Sequence, residues 1–184
     1  MGFEIVDGKG SGLTAGVNSD NRFQVSAVEQ SVEHFVNHTK GESYNLLFTA
    51  TPTGPGDCFL YIKNTAEIDM VLEGFWIKLE ANEYLEIKIG DTGTVAGGTD
   101  ITPVNLNGGS GKTALGAFQN GVDITGLTGG QVSHRIYHAS SVGSIFWNFN
   151  QDIILPKNRA ITIYAQTGTT EISGIMVFNY HSIG

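Results

Sequence analysis

The sequence predicts an all-β fold, an antiparallel β-sandwich of jelly-roll-like form behind an extended N-terminal arm, and three observations predict it. Side chains alternate between apolar and polar with a period of two from residue 44 onward. The breaks between alternating runs carry glycine, proline, asparagine and aspartate, the residues of tight turns. Composition agrees: there are 25 glycines, and charged residues make up only 15%, which leaves few of the long charged side chains that helices favour.

In chain order, residues 1–22 hold Gly2, Gly8, Gly10, Gly12 and Gly16 among small polar residues. Such a composition loses much backbone entropy on ordering and offers few side chains to bury, so it fits an extended arm, a disordered terminus or a first edge strand. We adopt the arm, with the sandwich domain over residues 23–184. Phe3, Ile5, Val6 and Leu13 are poorly placed on a free tail, and they are the expected partner-binding anchors, inserted into a neighbouring subunit. Val28, Val32, Phe35 and Val36 match helical spacing, while valines recurring every four residues also fit a strand, so residues 28–37 stay ambiguous.

Strands follow. Tyr44, Leu46, Phe48 and Ala50 share one face; Cys58, Leu60 and Ile62 oppose Phe59, Tyr61 and Lys63; Leu85, Ile87 and Ile89 oppose Tyr84, Glu86 and Lys88. Later, Ile161, Ile163 and Ala165 form a face, and the run 172–180 is apolar on both sides, as in a central strand covered on each face. Turns fall at Thr53-Gly54-Pro55-Gly56-Asp57, Gly90-Asp91-Thr92-Gly93 and Pro156-Lys157-Asn158. Between them, residues 91–132 carry eleven glycines, with strand-like pieces at 101–106 and 122–124, and read as long loops at one end of the sandwich.

At 184 residues and 40% apolar content the chain fits one domain able to bury a core without staples. A formal charge of −8 and only 10 scattered Lys and Arg exclude a nucleic-acid binder. No run reaches the length of a membrane span, and the first ten residues lack the basic start and apolar stretch of a secretion signal, so synthesis in the cytoplasm is expected. Met1-Gly2 suggests myristoylation, but Val6 stands where that motif needs Ser or Thr. Cys58 is the single cysteine, which rules out an intramolecular disulfide and reads as a small buried hydrophobe.

Several motifs invite chemistry and lose to a plainer reading. Gly108-Gly109-Ser110-Gly111-Lys112-Thr113 ends like a phosphate-cradling loop, yet Leu106 occupies the place of the glycine that permits its turn, and glycines break the following segment. The pairs His34/His38 and His134/His138 would chelate a metal on a helix but stand about 13 Å apart on a strand. Glu73, Glu80, Glu83, Glu86 and Asp91 could pair for glycoside hydrolysis, though acids at alternate strand positions describe an ordinary solvent face. Trp76, Trp147 and Tyr137 could stack on sugar rings; core or interface aromatics are the commoner case. Asn37-His38-Thr39 is a glycosylation sequon without a secretion signal to give it meaning. No catalytic residue, cofactor or metal is expected.

The blocks Glu33-His34 with Asn37-His38, Ser43-Tyr44-Asn45-Leu46, Asp57 to Asn64, Gly90-Asp91-Thr92-Gly93 and Leu155-Pro156-Lys157-Asn158 carry a resemblance. Across residues 22–181 the chain resembles virion structural proteins of tailed bacteriophages, similar to capsid decoration or cement proteins. The resemblance implies a jelly-roll-like sandwich, a homotrimer, and a place on the capsid surface, bound to the major capsid protein and stabilising the lattice from outside. It implies no enzyme and no small-molecule ligand. A receptor- or carbohydrate-binding module of a head fibre or tail is the alternative.

Overall fold

The computed structural model describes residues 16–17, 23–24 and 32–181. The chain divides into two units, residues 1–31 and 32–184. In the first, β1 (Gly16–Val17) pairs antiparallel with β2 (Phe23–Gln24). The expected anchors Phe3, Ile5, Val6 and Leu13 lie outside the described residues.

The second unit opens with a helix, so residues 32–37 of the ambiguous segment are helical. One α-turn, α1 (Val32–Phe35), runs into a π-helical turn at Val36–Lys40, and Val36 is wholly buried while Phe35 stays exposed. Gly41 ends the helix in the left-handed region at φ 62°, donating its N–H to the Val36 and Asn37 carbonyls.

The strands of this unit are β3 (Ser43–Ala50), β4 (Asp57–Asn64), β5 (Met70–Leu79), β6 (Glu83–Ile89), β7 (Thr92–Ala96), β8 (Thr99–Asp100), β9 (Val104–Asn105), β10 (Gly116–Asn120), β11 (Thr125–Thr128), β12 (Gln131–His138), β13 (Ile145–Leu155), β14 (Ala160–Ala165) and β15 (Ile172–Tyr180). A front sheet runs β12-β6-β14-β4-β10-β8 and a back sheet β13-β5-β15-β3-β9, antiparallel throughout. Counting only the strands of six or more residues from first to eighth, the back sheet reads 6-3-8-1 and the front sheet 5-4-7-2. That is jelly-roll order, two Greek keys folded over one core.

The inner faces close as the alternation predicts. Tyr44, Leu46, Phe48, Leu85, Ile87, Ile161, Ile163 and Ala165 are all in the core, where Phe48 meets Phe59 and Phe118 meets Phe178. One face departs from the prediction. At β4 the register against β14 skips Phe59, so this bulge puts Phe59 into the core beside Leu60 and Ile62, and turns Cys58 outward to Tyr61, Ile124 and Ala160.

The glycine-rich stretch 91–132 is not a set of end loops. β10 and β8 extend the front sheet, β9 adds to the back sheet, and β7 pairs with β11. Val95, Ile124 and Leu127 from this insertion pack on Cys58, Tyr61 and Ala160, covering part of the front sheet's outer face. The glycines let neighbouring backbones touch, as at Gly126, where a Cβ would lie 2.0 Å from the Thr94 carbonyl oxygen.

Candidate interaction surfaces

β15 lies between β3 and β5 at the middle of the back sheet, and its inward Ile172, Met176 and Phe178 are fully buried. Its outward Ile175 and Val177 are only half-buried, so among the described residues the cover that its two apolar faces predicted is complete on one side alone. Leu47 on β3 is 57% exposed and Trp76 on β5 is 46% exposed beside them. Across the β5–β13 pair, Phe146 lies opposite Trp76 with ring centroids 5.1 Å apart. Among the described residues the one charged side chain lining this shallow depression is Lys78, which is ion-paired to Glu80 at 2.6 Å. The result is a flat, nearly uncharged aromatic plate on a chain of net charge −8.

A second concavity sits at the end of the sandwich near the helix. Tyr44, Ala66, Ile68, Leu115 and Tyr180 form its apolar wall, Glu42 and residues 111–113 its rim, around a cavity of about 300 Å³. Tyr44 and Tyr180 meet edge-on at 5.8 Å, and the Tyr180 hydroxyl donates to the Leu115 carbonyl at 2.9 Å. Burial pushes the Tyr180 phenol above its ordinary range, so it stays neutral. Lys112 reaches across the mouth to Glu42, Nζ to Oε1 2.6 Å.

The predicted acids separate by environment rather than forming one solvent face. Glu80 and Glu86 do lie in surface ion pairs, with Lys78 and Arg135. Glu73, Glu83 and Asp91 are buried, which corrects the solvent-face reading for those three. Glu83 accepts backbone N–H groups from Tyr84, Gln166 and Thr167 on Oε1 and from Gly168 on Oε2, at 2.6–3.1 Å. Gly168 can aim its N–H there because it sits at φ 75° with Gly54 against its Cα. Asp91 accepts the Gly130 N–H at 2.8 Å and the hydroxyls of Thr162 and Tyr164. Glu73 accepts the Asn179 side-chain amide. Each of these carboxylates thus joins distant parts of the chain.

The other motifs also find places. His34 and His38 stack on one helical side, ring centroids 6.1 Å apart; among the described residues no cluster of three or more His, Cys, Asp or Glu could hold a metal ion. His134 and His138 fall on β12, the first exposed against Phe149, the second fully buried. Residues 108–115 lie outside helix and strand and lead into β10, so the lysine motif has no helix behind it. Trp147 points inward against the core, whereas Tyr137 stands exposed on the front sheet, its ring 4.8 Å from that of Tyr84. Burial pushes the Cys58 thiol up to about 12. Among the described residues no helix is long and apolar enough to cross a membrane.

Leu47, Phe146 and Ile175 were not singled out in the sequence, although the doubly apolar run 172–180 pointed to their neighbourhood. The sheet edges, by contrast, are blunted: β8 and β9 have two residues each, β12 is bulged at Ser133, and four residues of β13 bulge out between Asn148 and Ile153. The fold and its exposed faces define the class, a jelly-roll sandwich. Beyond that class, no protein-family description, curated protein or solved structure matches the chain.

Proposed function

We propose that this chain is a non-enzymatic structural protein of a tailed-phage virion, a cement protein that binds the major capsid protein on the outer lattice as a homotrimer and bridges its subunits. The observation that carries the reading is the plate of Leu47, Ile175, Trp76 and Phe146, an exposed to half-buried apolar area on the back sheet that no described residue covers. Burying such a surface against protein is favourable at about 25 cal/mol per Å² before the costs of association. Its lack of net charge also removes the repulsion that a chain of charge −8 would otherwise bring to an acidic partner. The resemblance of residues 22–181 supports the same reading, and the arm 1–22 would add a second contact whose strength multiplies with trimer valency. Because the strand edges are short or bulged, the faces supply most of the contact area in this reading, and strand addition by the arm supplies less.

Co-sedimentation with expanded phage heads tests it. Deletion of residues 1–22 and the substitutions Trp76→Ser and Leu47→Asp should each leave a folded domain that binds heads at least about tenfold more weakly, since one apolar anchor contributes about 1.5–3 kcal/mol. Full binding by all three proteins would sink the reading. A second reading, a carbohydrate-binding module, is favoured by the exposed Tyr84–Tyr137 pair and the Trp76–Phe146 shelf, because paired exposed rings suit sugar faces. A saccharide-specific signal on a glycan array, lost in Tyr137→Ala, would put that reading first.

A further inference from the structure

We propose that the cavity between the helix end and the 107–113 loop is a binding site for a small apolar carboxylate, a ring or short aliphatic body carrying one anionic group. This inference departs from the expectation of no small-molecule ligand and does not rest on the cement reading. It starts from the loop that resembled a phosphate cradle. That loop is pinned on every side: the Asn105 side-chain amide donates to the Gly41 and Lys112 carbonyls at 2.8 and 3.0 Å, and Ser110 Oγ donates to Gly41 at 3.1 Å. Asn107 reaches the Asn37 carbonyl at 2.9 Å, and the Lys112 N–H donates to Ser110 Oγ. Gly41 is needed for this closeness, since a Cβ there would lie 2.6 Å from Ser110 Oγ. A glycine-rich segment that would otherwise move is thereby turned into a fixed wall, the condition for a preformed pocket.

The pocket's chemistry selects the ligand. Its floor is apolar and aromatic, from the buried Tyr44, Ala66 and Tyr180, with half-buried Ile68 and exposed Leu115 on its walls, and at about 300 Å³ it lies at the small end of ligand cavities. Its open continuation is lined by Phe35, Lys40, Glu42 and Lys112. Two lysines face one glutamate at the mouth with His181 beside them, a formal excess of one positive charge, counting the histidine as neutral, on a protein whose net charge is −8. The Lys112 ammonium is half-exposed and, among the described residues, ion-paired with Glu42 alone, so it can turn to a carboxylate at the mouth while Lys40 offers a second cation. An apolar body then displaces water from the tyrosine-lined floor.

The probe is 4-phenylbutyrate, with its neutral amide as control, titrated into the full-length protein and followed by amide chemical shifts of Gly111, Lys112 and Thr113. Saturable shifts are expected, about two- to fivefold weaker for the amide and for Lys112→Met, as for loss of one partly exposed ion pair. Thr113→Trp, on the exposed rim, should abolish them. No shift at about 10 mM probe, the weak-binding limit for a ligand of this size, overturns the proposal. So do equal affinities for acid and amide, or Thr113→Trp binding as the wild type does. Phage-head binding is unaffected by any of these outcomes, so the two proposals fail separately.

Discussion

Glu83 shows what a single residue does in this fold. A carboxylate with no exposure is tolerated because four backbone N–H groups converge on it, three of them from residues 166–168; the Gly168 bond is fully buried, and the Gln166 N–H is shared with the Tyr84 carbonyl. Glu83→Ala should cost about 3 kcal/mol in urea denaturation, since the Thr167 and Gly168 N–H groups lose their acceptor together while Gln166 keeps the Tyr84 carbonyl. Glu83→Gln should cost clearly less, because one oxygen still serves the three donors on Oε1. Cys58 gives a pH prediction. Its thiol, ordinarily near 9.0, is raised to about 12 first by burial and then by the Asp91 charge, despite the Leu60 carbonyl contact. The folded state therefore holds a proton that the unfolded chain releases. Stability from this group is fully present below pH 9 and is lost as pH rises towards 12, by up to about 1.4 kcal/mol per pH unit. Tyr164 and Tyr180 are raised by burial in the same direction. Urea midpoints flat to pH 9 and falling above it would bear this out, and native Cys58 should resist thiol reagents at pH 8 until the protein unfolds.

At the scale of elements, the alternation of strands was legible and its interruptions were not. Leu85 and Ile87 lie inward as their spacing requires, yet Cys58 lies outward because one bulged residue, Phe59, reverses the phase of β4. Nothing in the local pattern marks such a skip, since it is set by the register with β14. The loop 107–113 makes the same point. Its glycines read as a surface loop, and the side chains of Asn105, Asn107 and Ser110 fix it to backbone carbonyls at the helix end. Asn105→Ala takes away two donated bonds and the acceptor for the Asn107 N–H. It should lower stability by about 2 kcal/mol and speed hydrogen exchange at Ser110 and Lys112 well beyond that at core strands.

At the scale of the molecule, the first and last long strands, β3 and β15, lie side by side, and β4 pairs with β14. Folding must therefore close loops of about a hundred residues before the central pairs form, which places relaxation in the millisecond-to-second range in stopped-flow experiments. Removing residues 172–184 should abolish the fold, because β3 and β5 lose their shared neighbour, whereas removing 1–22 should leave the β-rich circular dichroism intact. The sequence by itself determined the fold class, most of the core faces and the presence of one strand with two apolar sides. Those properties follow from the two-residue period of a pleated chain, which any window of a few residues displays. Only the tertiary structure decided that Glu83, Glu73 and Asp91 are buried, that one face of β15 is left open, and that a glycine loop becomes the wall of a cavity. Each depends on donors, cover or contacts supplied by residues tens of positions away, and periodicity carries no information about which distant segments meet.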